Sequence, residues 1–298
     1  SLSGKHVFDR FNPSVGLTYN PYEAIGYYAN YSEGTRAPTT IELGCANPDQ
    51  PCRLPNSMAG DPALKQVITQ NWETGFRGML PGKVGWSLGY FNILNTNDIQ
   101  FVAAPTNGYG YFKNFGKTQR QGIEASLDRK VEDWSIGANY TYLDATYQST
   151  DVLNSEFNDS AVDGTITVNP GNHIPLAPKH TFKTYVDYQL TKEWGTNLNI
   201  IGFSQSFIRG NENNNQQANG VIPGYVVANY GVRYAPEFVK GLQVFGQVNN
   251  ILDQHYYTAG QFGAAGIANG AYQSSPSGTA FFGPGAPRTW WLGMKYSF

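Results

Sequence analysis

The chain has 298 residues, of which 40% are apolar and 14% are charged, and its formal net charge is −2. Its many Tyr (20) and Phe (17) residues and its low charge argue against intrinsic disorder. The absence of any run of 18 apolar residues excludes a helical membrane protein, and the slightly negative charge disfavours nucleic-acid binding. These exclusions leave an all-β protein, either soluble or of the outer-membrane type.

Eleven segments alternate apolar and polar residues with a period of two, which is typical of a β-strand with one apolar face. In the ninth segment, Val226, Ala228 and Tyr230 lie on the face opposite Asn229 and Arg233. In chain order, the predicted strands are 6–19, 24–32, 66–78, 84–103, 110–128, 132–147, 180–190, 195–209, 225–235, 241–250 and 287–298.

The connections between these strands alternate between short and long. The short ones are 20–23, 80–83, 130–131, 191–193 and 235–240, and the long ones are 33–65, 104–109, 148–179, 210–224 and 251–286. This alternation predicts an antiparallel transmembrane β-barrel segment with short periplasmic turns and long extracellular loops. A soluble β-sandwich has no reason to sort its loops in this way and would keep more surface charge.

Two local patterns depart from regular strands. Ile200, Ile201 and Phe203 interrupt the alternation of the eighth segment, so we expect a β-bulge there. Residues 211–220 read NENNNQQANG, a composition that predicts a mobile loop.

Cys45 and Cys52 lie seven residues apart in a loop-like stretch, with no nearby Cys or His to complete a zinc pattern. We therefore expect a disulfide, which implies an oxidising compartment and contributes roughly 2–3 kcal/mol to the order of the loop. Two free thiols are the alternative.

Aromatic residues mark both the short turns and the C-terminus. Trp86, Trp134 and Trp194 each follow a short turn, which predicts an interfacial girdle at one rim, with ordinary core aromatics as the alternative. One face of the last strand is apolar and ends on an aromatic residue, and it consists of Trp290, Leu292, Met294, Tyr296 and Phe298. This ending resembles the terminal signature of bacterial outer-membrane barrels, which the barrel assembly machinery reads.

The strand count is odd, whereas bacterial single-chain barrels have an even number of strands. An open sheet of eleven strands would leave two unpaired edges in lipid, where unsatisfied backbone groups are costly. We therefore expect either that the count is wrong or that N-terminal strands lie outside this sequence.

Several segments resemble the C-terminal half of TonB-dependent outer-membrane receptors and occur in family order. They are 10–21 (RFNPSVGLTYNP), 27–43, 61–78, 114–127 (NFGKTQRQGIEASL), 171–182, 244–260 (VFGQVNNILDQHYYTAG) and the ending PRTWWLGMKYSF. The resemblance implies that residues 1–298 are one barrel segment of a receptor of about 22 strands. The family's plug domain, which precedes the barrel, and the short motif before the plug that pairs with TonB have no counterpart in these residues.

The resemblance implies a location in the outer membrane of a Gram-negative bacterium. It also implies import of a scarce solute, most often a ferric siderophore, with energy relayed by TonB. The implied partners are the lipid bilayer and its lipopolysaccharide, the barrel assembly machinery, TonB through the plug, and the small-molecule ligand. Two alternatives remain: a plugless passive channel of roughly 10–12 strands, and a surface β-protein that binds glycans.

Two groups of residues are candidates for function. Charged residues on the polar strand faces either contact the plug or form an ordinary interior network, and they are Glu73, Arg77, Arg120, Glu124, Asp187 and Arg233. Loop residues suited to anionic or aromatic ligands, with loop packing or plain solvation as the alternative, are Arg36, Arg53, Tyr109, Tyr111, Tyr256, Tyr257, Tyr272, Phe281 and Phe282.

The sequence contains no H-E-x-x-H or P-loop, and its G-x-S-x-G match at residues 85–89 lies inside a predicted strand instead of at a strand-to-helix turn. The four histidines are scattered, and His180 is expected at a membrane interface instead of on a metal. We therefore expect a non-enzyme without catalytic residues, metal site or cofactor.

Overall fold

The computed structural model describes residues 6–49, 51–52, 64–104, 109–216, 218–263, 267–268, 271–272 and 280–298. In chain order, its elements are β1 (Ser14–Tyr22), β2 (Ile25–Arg36), α1 (Thr40–Gly44), β3 (Val67–Leu80), β4 (Val84–Thr96), β5 (Ile99–Ala103), β6 (Gly110–Asn114), β7 (Lys117–Val131), β8 (Trp134–Tyr147), β9 (Asp151–Asn154), β10 (Thr165–Val168), β11 (His180–Gln189), β12 (Trp194–Phe203), β13 (Ser206–Phe207), β14 (Val221–Ile222), β15 (Tyr225–Tyr234), β16 (Leu242–Asn249), β17 (Tyr257–Phe262), β18 (Ile267–Ala268), β19 (Ala271–Tyr272), β20 (Ala280–Pro284) and β21 (Thr289–Tyr296). Among the described residues, no helix has the length and apolar character that crossing a lipid bilayer requires.

One antiparallel sheet of eleven strands forms the framework, in the order β1-β2-β3-β4-β7-β8-β11-β12-β15-β16-β21. These strands correspond one by one to the segments predicted from alternation, so the predicted all-β fold and strand count are confirmed. Each strand pairs with its neighbours along the chain, as expected when short turns and hairpin-like loops join antiparallel strands. Strands β1 and β21 form the two edges, and within the described residues the barrel is not closed.

The two longest predicted strands, 84–103 and 110–128, are each interrupted. Asn97 and Gly116 adopt positive φ angles of 56° and 101°, which turn the chain out of the main ladder. Asp98 bridges the two breaks, because its amide donates to Gly116 O (3.1 Å) and its carbonyl accepts from Phe115 N (2.7 Å). Beyond the breaks the chain continues as the separate hairpin β5–β6.

The β-bulge predicted near Ile200 is wrong. Strand β12 pairs without a register shift along Trp194–Phe203 on both of its sides. The alternation fails there because Ile201, on the face that is polar elsewhere, lies beside Val227. This end of the sheet therefore accepts apolar residues on both faces.

The sheet has one apolar face and one charged face, because directly paired residues of neighbouring strands project to the same side. The apolar face is exposed along its whole width and includes Leu17, Phe76, Leu88, Ile123, Leu127, Ile136, Phe182, Tyr230 and Leu292. The charged face includes Glu73, Arg77, Arg120, Glu124, Asp187 and Arg233. All six predicted residues thus share the face opposite the apolar one.

The three tryptophans that follow short turns lie at the same end of the apolar face, as predicted. Trp134 stacks on Tyr188 with 3.9 Å between ring centroids, and Trp194 stacks on Tyr234 at 4.4 Å. Trp86 donates its indole N–H to Ala24 O (3.1 Å). We call this end of the sheet the short-turn end, and the opposite end the loop end.

The packed apolar core lies at the loop end, among the long connections. One cluster consists of Val102, Phe115, Tyr147, Leu153, Ile166 and Val168. A second consists of Ala46, Leu64, Val67 and Ile99. Because the sheet faces lack a covering layer among the described residues, these clusters hold the loops together as a cap on one end of the sheet.

Candidate functional site

The first long loop is anchored to the hairpin β5–β6. Cys45 and Cys52 form the predicted disulfide, with 5.8 Å between their Cα atoms. Cys52 exchanges two backbone hydrogen bonds with Gly110 (2.8 and 3.1 Å), and Cys45 O accepts from Phe112 N (2.7 Å). These backbone hydrogen bonds attach the loop to strand β6, and the disulfide joins their two anchor points.

Arg36, a predicted ligand contact, already has a partner. Its guanidinium donates to the Glu42 carboxylate (2.7 Å), which also accepts from Thr39 N (2.7 Å) in the capping box of α1. Partial burial acts to raise the pKa of Glu42, but the hydrogen bonds from Arg36 and Thr39 outweigh it and lower that pKa. Arg36 thus supports the loop. Arg53, the other predicted cation, lies outside the described residues.

The two tyrosines of β6 and its approach are part of loop packing. Tyr111 packs against the cluster around Val102 and Tyr147. Tyr109 O accepts from Ala104 N (3.0 Å), which closes the described part of the β5–β6 hairpin. These contacts match the loop-packing alternative for Tyr111.

Aromatic residues of the last long connection occupy two environments. Tyr256 stacks on Tyr225 (4.5 Å between centroids), which in turn packs on Phe203 (5.2 Å). In the hairpin β17–β20, Tyr257 packs on Phe282 (5.0 Å).

Two of the candidate aromatics remain accessible. Tyr257 is 42% exposed and Phe281 is 46% exposed, whereas Phe282 is half-buried. The backbone of Tyr272 lies in β19, and its side chain is outside the described part of the chain. Among the candidate aromatic side chains that the structure describes, Tyr257 and Phe281 are therefore the most accessible to a ligand from outside.

Three of the six charged-face residues form ion pairs. Arg233 donates to Asp187 (3.1 Å) and to the side chain of Gln189 (2.7 Å). Arg120 lies 3.6 Å from Asp98, which also accepts from the Thr118 hydroxyl (2.6 Å). Arg120, Asp187 and Arg233 thus fit the reading of a wall-supporting network.

The other three charged residues surround Tyr28, which the sequence analysis did not single out. The Arg77 guanidinium lies 5.5 Å from the Tyr28 ring centroid. An open cavity of about 450 Å³ is lined by Tyr28, Glu73 and Arg77, and an adjoining one of about 240 Å³ by Tyr28, Glu73 and Glu124. Within the described residues, Glu73, Arg77 and Glu124 form no ion pair, so this part of the charged face offers free charge to a neighbour.

Glycines explain how Tyr28 lies flat on the charged face. Gly75 and Gly89 follow Tyr28 in register across β3 and β4. A Cβ on either glycine would stand 2.8 or 2.6 Å from the Tyr28 hydroxyl oxygen. The signal for this arrangement is a tyrosine whose cross-strand partners on the next two strands are both glycine. The sequence reveals it only when the pairing register of the strands is known.

The described residues of the Asn-rich segment, 211–216 and 218–220, are packed, whereas composition predicted a mobile loop. Asn211 is fully buried, and its side-chain amide donates to Gln216 O (2.6 Å) and Gly220 O (2.9 Å). Asn158, from the preceding long loop, donates to Gly210 O (2.8 Å). Asparagine side chains here bond to backbone carbonyls that are not paired in a β-ladder. Composition alone does not reveal these bonds, so it predicted a mobile loop.

A buried carboxyl group lies in the same segment. Glu212 accepts from Gly210 N (3.0 Å). Burial raises its pKa, although this hydrogen bond and the nearby Arg209 act to lower it. The carboxyl group therefore binds a proton more readily than an exposed glutamate does.

The C-terminal strand presents the predicted face. Trp290, Leu292, Met294 and Tyr296 are exposed on the apolar face, in register with β16, and Phe298 follows them. Trp291, on the opposite face, packs edge-on against Phe245 (5.3 Å). His180 lies at the loop end of the apolar face, where Nδ1 is 2.8 Å from the Tyr140 hydroxyl. Among the described residues, no group of three or more His, Cys, Asp or Glu side chains is placed to hold a metal ion.

Comparisons with known proteins agree on one family. The family model described as TonB dependent receptor-like, beta-barrel matches residues 2–251. The siderophore receptor PiuA from Acinetobacter baumannii is 19% identical over 95% of this chain and 35% of its own length, with a TM-score of 0.64. The ferric-catecholate import receptor Fiu from E. coli K12 is 19% identical over 96% of this chain and 34% of its own length, with a TM-score of 0.62. The copper transporter OprC is 15% identical over 96% of this chain and 39% of its own length, with a TM-score of 0.64. Both have the same fold as this chain.

The chain spans about a third of the length of these solved structures. At these identities the structural matches establish the fold alone, whereas the family model covers most of the chain. This chain therefore belongs to the TonB-dependent receptor family, whose members are outer-membrane transporters of Gram-negative bacteria and not enzymes.

Proposed function

We propose that this chain is part of an outer-membrane receptor that binds and imports a ferric siderophore with energy relayed by TonB. The observation that carries the proposal is the apolar face, whose large side chains are exposed from β1 at one edge of the sheet to β21 at the other. A continuous apolar surface of this width is unfavourable in water, and a lipid bilayer removes the cost. Family membership supports the same placement.

In this placement the short turns face the periplasm and the packed loops face the outside. The hairpin β17–β20, which carries the ligand-contact residues, is held to the preceding long loop by two backbone hydrogen bonds of Arg209, with Gly260 O (3.0 Å) and Phe262 N (3.0 Å). Tyr257 and Phe281 are the residues that we assign to ligand contact. Their rings suit catechol or other planar groups, which stack on aromatic side chains.

We also assign different roles to the charged-face residues. Arg120, Asp187 and Arg233 support the wall, Arg233 through its ion pair with Asp187 and Arg120 through its ion pair with Asp98 beyond the end of β4. Glu73, Arg77 and Glu124 face a plug domain in the complete receptor, because they line open cavities and have no ion-pair partner among the described residues. Exchanging Glu73 for Gln is then expected to weaken plug retention without unfolding the sheet.

Uptake of radioactive iron tests the proposal in cells of the source bacterium. Deletion of the gene should abolish iron uptake from one siderophore of a panel, and collapse of the proton gradient should do the same. Combined Tyr257→Ala and Phe281→Ala substitutions should lower the uptake about tenfold, through loss of two stacking contacts. Phe238→Ala is the matched control, because Phe238 is 81% exposed in a short connection at the opposite end.

Two results would overturn the proposal. Uptake that persists without a proton gradient would favour the passive-channel alternative. An equal loss from Phe238→Ala would show that the aromatic substitutions act through folding and not through ligand contact.

A further inference from the structure

The charged face of the sheet is divided into two halves that differ in charge. Strands β3 and β7 place two carboxylates without ion-pair partners on it, Glu73 and Glu124. Strands β11, β12, β15, β16 and β21 are described along their whole length, and the one carboxylate that they place on this face is Asp187. Asp187 pairs with Arg233 (3.1 Å). The second half therefore has no free negative charge.

Neutral amides cover the middle of this second half. They lie in two neighbouring rows of the register, and we call them the amide wall: Asn197, Asn199, Asn229, Gln247 and Asn249. Asn199 Nδ2 donates to Asn197 Oδ1 (3.1 Å), and Gln247 Nε2 donates to Asn249 Oδ1 (2.7 Å). Each amide has two N–H donors and an oxygen with two lone pairs, so the wall keeps donors and acceptors for a solute.

Glycines keep this part of the face flat. Asn197 lies over Gly231, where a Cβ would stand 2.7 Å from Asn197 Nδ2. Arg233 lies over Gly195, where a Cβ would stand 2.5 Å from Arg233 Nε. Side chains that lie along the sheet do not project from it. The wall therefore leaves space in front of it for a solute.

Two lysines border the amide wall, one toward each end of the sheet. Lys183 pairs with Ile201 in the adjoining row toward the loop end, and Lys295 pairs with Gln243 near the short-turn end. Both lysines are exposed, and neither forms an ion pair within the described part of the chain. Cations without a counter-charge attract an anionic solute, whereas the free carboxylates of the first half repel it.

Neutral amides suit the passage of a solute better than charged groups do. A solute moves along a surface only when each contact is favourable enough to form and weak enough to break. Hydrogen bonds to neutral amides are weaker than those to charged groups. The lysines therefore provide the attraction, and the amides between them provide contacts that release the solute.

We propose that the imported solute is anionic and crosses the lumen along the amide wall, from Lys183 to Lys295. This inference rests on the proposed import function and deepens it, because it assigns a charge to the solute and a side of the barrel to its path. The plug contacts that we assign to Glu73, Arg77 and Glu124 lie on the other half of the face. The plug can thus remain held there while the passage opens along the amide wall.

Reversal of the two charges tests the path. Combined Lys183→Glu and Lys295→Glu substitutions are made in the complete receptor, and the probe is the radioactive ferric siderophore that the gene-deletion strain no longer takes up. We expect the maximal uptake rate per receptor to fall about tenfold. Binding of the same probe to cells without a proton gradient should keep its Kd, because Tyr257 and Phe281 are unchanged. Combined Lys183→Arg and Lys295→Arg substitutions should keep the uptake rate.

The matched control makes the same change of charge away from the lumen. Lys192 and Lys240 are exposed in short connections, so Lys192→Glu combined with Lys240→Glu should leave the uptake rate unchanged. An equal loss in this control would overturn the inference, as would an unchanged rate after reversal of Lys183 and Lys295. Sensitivity of the Lys183→Glu and Lys295→Glu cells to a large antibiotic that the wild type excludes would assign the lysines to plug retention and would also overturn it.

A nearly isosteric substitution tests the wall itself. Asn229→Asp adds a carboxylate among the amides and should lower the maximal uptake rate about fivefold. Asn95→Asp adds the same charge to the other half of the charged face, where it can still accept from the Thr69 hydroxyl (2.8 Å), and should leave the rate unchanged. Equal rates for the two variants would contradict the path.

The same uptake measurement separates this inference from the proposed function. A wild-type receptor that imports its siderophore, with lysine and asparagine variants that import it equally well, contradicts the path along the amide wall alone. A wild type that shows no uptake dependent on the proton gradient contradicts both.

Discussion

His173 lies where two of the long loops meet. Its ring stacks on Phe207 (6.2 Å between centroids), and its backbone exchanges hydrogen bonds with the Asn214 side chain (2.5 and 3.0 Å). Burial lowers the pKa of His173, and the nearby Lys179 lowers it further, whereas Asp144 acts in the opposite direction. The loop contact therefore favours the neutral imidazole.

Acidification is expected to loosen this contact. Because the pKa in the closed state lies below the ordinary value of 6.5, the open state binds a proton first as the pH falls. The contribution of His173 is complete above pH 6.5 and is lost as the pH drops through the lowered pKa. Hydrogen exchange of residues 205–216, corrected for intrinsic rates, should be faster at about pH 5.5 than at about pH 7.5.

A neutral side chain at this position provides the control. His173→Gln should remove the pH dependence, whereas His255→Gln, in another loop, should retain it. A pH dependence that survives in His173→Gln would assign the effect to a different group.

At the scale of the element, aromatic residues on the charged face lie over glycines of neighbouring strands. Tyr185 and Gly137 are directly paired between β11 and β8. A Cβ on Gly137 would stand 2.2 Å from a Tyr185 ring carbon. The Tyr185 ring therefore occupies the space that a side chain at position 137 would need, and it covers the backbone of Gly137.

Substitution at Gly137 should destabilise the sheet through this close approach. Gly137→Ala is expected to cost about 1–3 kcal/mol, because Tyr185 must leave its position. Gly246→Ala is the matched control, since its nearest neighbour would be a Leu292 methyl at 3.6 Å, an ordinary contact. Thermal unfolding followed by the loss of heat-modifiable migration measures both variants. Equal shifts for the two would contradict the steric explanation.

The last strand carries a second prediction at this scale. If its exposed apolar face is read during assembly, Phe298→Ala should reduce the amount of folded protein in the outer membrane. The purified variant should keep its thermal stability, because the Phe298 side chain is fully exposed and contacts the Tyr296 ring edge-on (5.2 Å between centroids). Ser297→Ala should assemble normally. Normal assembly of Phe298→Ala would remove the assembly role.

For the whole molecule, the sheet and the loop cap are stabilised by different interactions. The sheet depends on its ladders and on lipid against its apolar face. The cap depends on its apolar clusters, its buried asparagines and the disulfide. The two parts should therefore respond differently when one of these interactions is removed.

Removal of the disulfide tests this separation. Combined Cys45→Ser and Cys52→Ser substitutions should make residues 37–49 sensitive to protease, with a local loss of roughly 2–3 kcal/mol. The thermal midpoint of the sheet should change little. Chemical reduction of the wild type should reproduce the result. A large fall in the midpoint would show that the cap and the sheet unfold together.

Much of this architecture was predictable from the sequence, because the alternation of a strand is a local pattern with a period of two. That pattern predicted the eleven strands, the two faces, and the rim of Trp86, Trp134 and Trp194. The disulfide was also predictable, since its cysteines are only seven residues apart. The family resemblance rested on ordered motifs along the same strands.

Tertiary structure decided what depends on residues that are distant in the sequence. The pairing of Asn158 with Gly210, of Cys52 with Gly110, and of Tyr28 with two glycines joins elements whose register no local pattern specifies. The loops follow no repeating pattern, so composition predicted a mobile segment where buried amides form a packed network. The local sequence pattern therefore determined the strands and their two faces. The partners of Arg36, Arg77 and Asn211 depend on how distant segments pack and were decided by the tertiary structure.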